Sequence, residues 1–207
     1  MVRRAPYGVV VASPTRRGRR PGSPDTRSAI LAEARALFAA KGYAGTSVRA
    51  VAAAAGVDAA LVHHYFGTKD DLFLAALELP VDPRQLVAPV VQGGPEGAAE
   101  RFLTVFLSAW DDPAVQPSLL AVARAVMDPA GAKLLSEGFL PVVIQPVGVA
   151  LGLDRPEHRM TLVASQVVGI ILLRYVLAVE PLASMPQDQV VATYAPTLQR
   201  YLTGPLP

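Results

Sequence analysis

Residues 42–72 read GYAGTSVRAVAAAAGVDAALVHHYFGTKDDL, and the fold is decided there. Thr46-Ser47 is an N-cap signal, because a side-chain hydroxyl accepts a hydrogen bond from the unpaired N–H groups that open a helix. A short helix from Ser47 to about Ala54 follows, with Val48 and Val51 turned inward, and Gly56 interrupts it. Asp58 caps a second short helix packed through Leu61, Val62 and Tyr65, and Gly67-Thr68 closes that one before another opens near Lys69. Two short helices joined by a tight, glycine-containing turn form a helix-turn-helix unit.

Working outward, Asp25 or Ser23 can cap a preceding helix whose apolar residues Ile30, Leu31, Ala34, Leu37 and Phe38 recur at three- and four-residue steps. Gly42 stops it after Lys41, and Tyr43 adds an aromatic ring to a small core. The helix from Lys69 to about Leu79 carries Leu72, Phe73, Ala76 and Leu77 on one face and leads out of the unit. Residues 1–24 are rich in Pro, Gly, Ser and Arg, have no apolar face to bury, and read as a disordered basic arm. The apolar run Val9 to Ala12 is far shorter than the roughly 7 to 15 residues of a signal-peptide core, so the protein is expected in the cytoplasm.

The net charge of +2 hides an asymmetry. Up to Arg20 the charged side chains are Arg3, Arg4, Arg16, Arg17, Arg19 and Arg20, whereas after Leu79 there are 8 Lys/Arg against 11 Asp/Glu. The arm therefore suits a polyanion and the body does not. Hydrophobic residues make up 52% of the chain and charged ones 17%, which fits a compact Ala/Leu/Val-rich globule. The chain has no cysteine, which excludes disulfides, thiolate metal sites and cysteine nucleophiles.

Pro80, Pro83, Pro89 and Gly93-Gly94 read as a connection, followed by helices near 95–110, 115–127, 130–151, 156–180 and 187–202. Pro95 and Pro156 suit first turns, and Pro141 and Pro146 are expected to kink or break the third of these helices and so open a cavity. No strand-like alternation or internal repeat stands out, so the chain reads as all-α. Met160 to Val179 is apolar nearly all round, but Gln166 and Arg174 interrupt it and about 20 apolar residues are needed to span a bilayer. A buried helix is expected there, with no membrane partner, and Arg174 needs a carboxylate, carbonyl or water.

The segments Gly42 to Ala52, Ala55-Gly56-Val57-Asp58 and His63 to Leu72 together resemble the DNA-binding domain of TetR-family repressors. The resemblance extends over about residues 25–79, and the tail from about Arg159 to Leu202 is similar to C-terminal domains of actinobacterial members. It implies a disordered arm at 1–24, a three-helix helix-turn-helix domain with its connecting helix at 25–79, and a helical ligand-binding and dimerisation domain at 80–207. The implied function is that of a ligand-responsive repressor, a homodimer on palindromic double-stranded operator DNA released by an apolar small molecule, without cofactor or metal.

By the same resemblance Thr46 or Ser47, the Tyr65 hydroxyl and Lys69 would hold phosphates. Ala59, Ala60 and His63 would face bases, with His64 beside them. The Asp58-Ala59 start of the recognition helix and the histidine at 63 depart from the commoner family pattern. Blander readings stand beside these: Thr46 and Ser47 cap helices in any protein, and Phe66 is core. His63 and His64 diverge as helix neighbours and cannot chelate one metal ion together. The arm arginines would reach a minor groove or add counterion-release affinity.

Phe102, Phe106, Trp110, Met127, Phe139, Tyr175 and Met160 are candidates to line a ligand cavity, although at helical spacing such residues serve equally as plain core. Leu162, Val163, Val167, Ile170 and Ile171, with Val190, Val191, Tyr194, Leu198 and Tyr201, are expected at a four-helix dimer interface. A DNA-binding activator or ligand-independent regulator is the alternative, since sequence does not give the sign of regulation. A helical enzyme or carrier has no catalytic motif to support it, and Asp111-Asp112 reads as a helix end.

Overall fold

The structure, a computed structural model, describes residues 26–206. The basic arm and the caps expected at Ser23 or Asp25 lie outside these residues. The described chain is helical and contains no strand, as the periodicity predicts.

Helices α1 (Thr26–Lys41), α2 (Val48–Ala54), α3 (Ala59–Phe66) and α4 (Lys69–Ala76) form the front unit. Ile30, Ala34, Phe38, Val51, Val62, Leu72 and Phe73 are fully buried at its centre. Phe73 meets Phe38 edge-on at 5.1 Å and Tyr43 at 5.3 Å. Burying each such side chain contributes about 1.5–3 kcal/mol, which compensates for helices too short to be stable alone.

Helix α4 stops at Ala76 and does not reach Leu79 as expected, because Glu78 turns into the left-handed region at φ 50. The segment read as a connection holds a further helix, α5 (Pro83–Gln92). Asp82 caps it by accepting from the Arg84 N–H at 2.9 Å, and Pro83 sits in the first turn, where a missing N–H costs nothing.

Helix α6 (Ala98–Asp111) begins at left-handed Gly97, so Pro95 precedes the helix and does not open it. Helix α7 (Gln116–Ala125) leads to one unbroken helical rod. The rod starts as α8 (Pro129–Leu134), winds as a π-helix through Leu135–Ile144, and ends as α9 (Gln145–Ala150). Pro141 falls inside the π stretch, where the wider winding absorbs the missing hydrogen bond, so the expected break is a local widening. Helix α10 (Pro156–Ile170) continues as a π stretch, Ile171–Val176, and ends short of residue 180; α11 (Gln187–Thr203) closes the chain.

Buried arginines fasten the corners. Arg159 donates to the Asp154 carboxylate at 2.8 Å and to the Tyr201 and Gly204 carbonyls at 2.8 and 3.0 Å. Arg174 finds its partners in the Leu182 and Met185 carbonyls, both at 2.7 Å, and in Asp111 at 3.7 Å. Asp111 also accepts from the Tyr175 hydroxyl at 2.9 Å, so it does more than end a helix.

The Pro129–Ala150 and Pro156–Val176 rods are each long and apolar enough to cross a membrane. Each rod packs on neighbouring helices and contributes to the wall of an internal cavity.

The rod also completes the front unit. Val143 is buried in the core of α1–α4, and the Phe73 ring lies so close to Gly138 that a Cβ there would stand 2.3 Å from it. Phe73 cannot retreat, since Phe38 and Tyr43 hold its other edges. Gly138→Ala is therefore expected to cost about 1–3 kcal/mol by overpacking, seen as a lowered Tm in thermal denaturation; an unchanged Tm would show that the seat is loose.

Candidate functional site

Ser47 caps α2, its hydroxyl oxygen accepting from the Ala50 N–H at 3.1 Å, which leaves the exposed O–H free to donate. Asp58 caps α3 by accepting from the Ala60 N–H at 2.7 Å. In α3, Val62 and Phe66 are buried whereas Ala60, His63, His64 and Tyr65 are exposed, so the helix presents one continuous outward face. His63 and Gly67 form a reciprocal clasp: the Gly67 N–H donates to the His63 carbonyl at 2.8 Å, and His63 Nδ1 lies 2.7 Å from the Gly67 carbonyl. A carbonyl only accepts, so Nδ1 is the donor in this contact and Nε2 is the ring nitrogen left for other partners. Gly67 adopts φ 79, a left-handed geometry that favours glycine.

Helix α4 opens with a capping box. The Thr68 hydroxyl accepts from the Asp71 N–H, and Asp71 accepts from the Thr68 N–H at 3.0 Å. Asp71 also pairs with Arg84 of α5 at 2.7 Å. The Thr68 hydroxyl and then Arg84 hold the Asp71 carboxyl down at about 2. Lys69 sets its ammonium 4.1 Å above the Tyr43 ring, whose hydroxyl donates to Asp70; burial, then that carboxylate, raise the Tyr43 phenol well above its ordinary value.

Behind this unit lies a cavity of about 930 Å³, walled by α5 to α11 and reaching the end of α4. Phe102, Phe106, Trp110 and Met127 line it, together with Phe139 and Met160. Among the described residues no cluster of His, Asp and Glu is arranged to hold a metal ion.

Residues 30–76 match the family described as bacterial regulatory proteins, tetR family, and residues 96–202 match the tetracyclin repressor-like C-terminal domain. The chain belongs to the TetR family of transcriptional regulators. It is 38% identical to a TetR-family regulator from Streptomyces coelicolor A3, over 89% of this chain and 98% of that one, with a TM-score of 0.47. An HTH-type transcriptional repressor of Mycobacterium tuberculosis is 46% identical over 57 residues, a match covering 28% of this chain and 30% of that protein's length. The family's members are regulators, not enzymes.

Within this TetR-family frame the expected residues separate. Ser47, Ala60, His63, His64 and Tyr65 come together on the exposed α2–α3 side, with half-buried Lys69 at the head of α4. Thr46 does not join them. It is 2% exposed and turns its single proton toward the Gly42 and Leu37 carbonyls at 2.9 and 3.1 Å, plugging the C-terminal end of α1. Ala59 is half-buried against the front core and offers less outward surface than Ala60.

Tyr175 is not on the cavity wall: it stacks behind Trp110 at 4.9 Å with its hydroxyl on Asp111. Val163, Ile170, Val190, Val191 and Leu198, expected between subunits, are buried in their own subunit's core. Exposed Arg49 in the first turn of α2, and Arg27 stacked 5.1 Å over Phe66, were not singled out from sequence; a cation inside the helix-turn-helix segment is the signal that marks Arg49. Arg84 was missed because its partner Asp71 is 13 residues away.

Because Asp71 is held below its unfolded value of 3.8, its pairing stabilises the fold above that pH and is lost as pH falls toward 2. The Tm should fall between pH 4 and 2, and Asp71→Asn should lower Tm at pH 6 while flattening that fall. A variant as steep as the parent would place the acid sensitivity elsewhere.

Proposed function

We propose that the protein is a ligand-responsive transcriptional repressor that binds a palindromic operator as a homodimer in the cytoplasm and is released by an apolar small molecule. The observation that carries this reading is the exposed face of α3, which runs from Ala60 through His63 and His64. Small residues at the start and a polar ring farther along suit a major groove about 12 Å wide. In this reading the Ser47 and Tyr65 hydroxyls and the Lys69 ammonium hold phosphates, while the His63 Nε2 faces a base edge. The arm arginines add affinity by counterion release.

Two recognition helices must meet half-sites about 34 Å apart, which is why dimerisation belongs to the proposal. Leu173, Leu177 and Val179 just beyond α10 are 40–57% exposed and give a partner subunit an apolar surface. The cavity supplies room for the ligand, since sites of this kind span roughly 300–1,000 Å³.

Fluorescence anisotropy with DNA from upstream of the protein's own gene tests the reading directly. Lys69→Ala should weaken all sequences alike and reduce the salt slope by about one, whereas His63→Ala should cost about 1–3 kcal/mol at one operator position and relax its base preference. Binding no tighter than to scrambled DNA at physiological salt would reject the proposal. Light scattering should give a dimer for the parent chain, with Leu173→Arg shifted toward monomer; a concentration-independent monomer for the parent would remove the palindrome.

A further inference from the structure

Forty-odd side chains wall the cavity, yet the charged ones among them are Arg35 of α1 and Glu78 just past α4; Ser118 is the other polar aliphatic side chain. The two ions pair with each other at 2.5 Å. Their attachments differ. Arg35 is also anchored by its Nε, which donates to the Ala76 carbonyl at 3.1 Å, so its guanidinium stays in place if the carboxylate leaves. Glu78 is the more exposed partner, 65% against 46%, and its backbone holds a left-handed φ of 50 that side chains rarely adopt. Of the two, Glu78 is the one that water can take back.

We infer that the cavity takes an amphiphilic monocarboxylate, with an apolar body among the Phe102, Phe106 and Trp110 side chains and its carboxylate on Arg35 in place of Glu78. The inference rests on the reading of this cavity as the ligand site and adds the chemical class. A guanidinium fixed at one nitrogen presents its remaining N–H groups in the planar fork that a carboxylate matches. A cationic amphiphile would have to compete with the anchored Arg35 for Glu78 and would meet like charge from that guanidinium. A neutral one would leave the ion pair untouched and gain only from its body. Displacing Glu78 also opens the clasp between α1 and the α4–α5 link, because Leu77, Leu79 and Val81 of that link line the same cavity.

The chain's single tryptophan, Trp110, lies on the wall and reports occupancy by its fluorescence. Dodecanoate, dodecanol and dodecylammonium, each below its micelle concentration, have the same tail and differ in the head. Dodecanoate is expected to bind at least about threefold tighter than dodecanol, the range of a half-exposed ion pair. Glu78→Gln removes the internal competitor and should widen that ratio to about tenfold, whereas Arg35→Gln should bring it to one without changing dodecanol binding.

Equal affinity for all three heads, or an acid affinity indifferent to Arg35→Gln, overturns the carboxylate assignment and leaves the cavity as a site for neutral ligands. Tightest binding by dodecylammonium overturns it in favour of a cation held by Glu78. Failure of every tail to change Trp110 emission removes the ligand site itself. Dodecanol binding by each variant is the control that its cavity is intact.

Discussion

The contact of Phe73 with Gly138 ties the two ends of this molecule together. Phe73 stands fully buried at the centre of the front unit, with Phe38 and Tyr43 against its edges and the backbone of the long rod against its tip. Close-packed interiors yield little, so a displacement of the rod is felt by the ring and through it by α1 and α4. The same rod supplies Leu134, Phe139 and Val143 to the cavity wall and to the front core alike. A molecule filling the cavity would therefore press on a surface that the helices of the front unit share, without any separate relay.

Arginines fasten the corners of the C-terminal half. Arg101 fastens the α5–α6 corner by donating to the Glu96 carbonyl at 2.8 Å and to Val90 and Gly94, much as Arg159 and Arg174 hold the last two turns of the chain. Each guanidinium donates to carbonyls of helix ends or connecting turns, while the Nε of Arg101 and of Arg174 stays buried without a partner among the described residues. Arg101, Arg159 and Arg174 thus serve as staples between elements.

The front unit uses its acids in a similar way. Asp58 and the Thr68-Asp71 box open α3 and α4, where a carboxylate favours the positive end of a helix. Asp71 is further neutralised by Arg84 and Asp70 accepts from Tyr43, so these carboxylates are engaged locally. Lys69, above the Tyr43 ring, keeps its charge on the outer side of that cluster.

Sequence by itself determined the helical class, the order of the front helices, their starts at Thr46-Ser47, at Asp58 and near Lys69, and the outward position of His63, because caps, glycine stops and apolar spacing act within a few residues. It misjudged α5, where Asp82 and Pro83 start a helix that the neighbouring prolines seemed to forbid, and the Pro141 rod, which widens instead of breaking. Tertiary structure alone decided which of Thr46 and Ser47 faces out, that Tyr175 stands behind Trp110, that Val190 and Leu198 belong to their own subunit, and that Arg35 meets Glu78 at the cavity. Each of those outcomes depends on groups brought together across many residues, and a helical repeat says which side chains share a face without saying what that face meets.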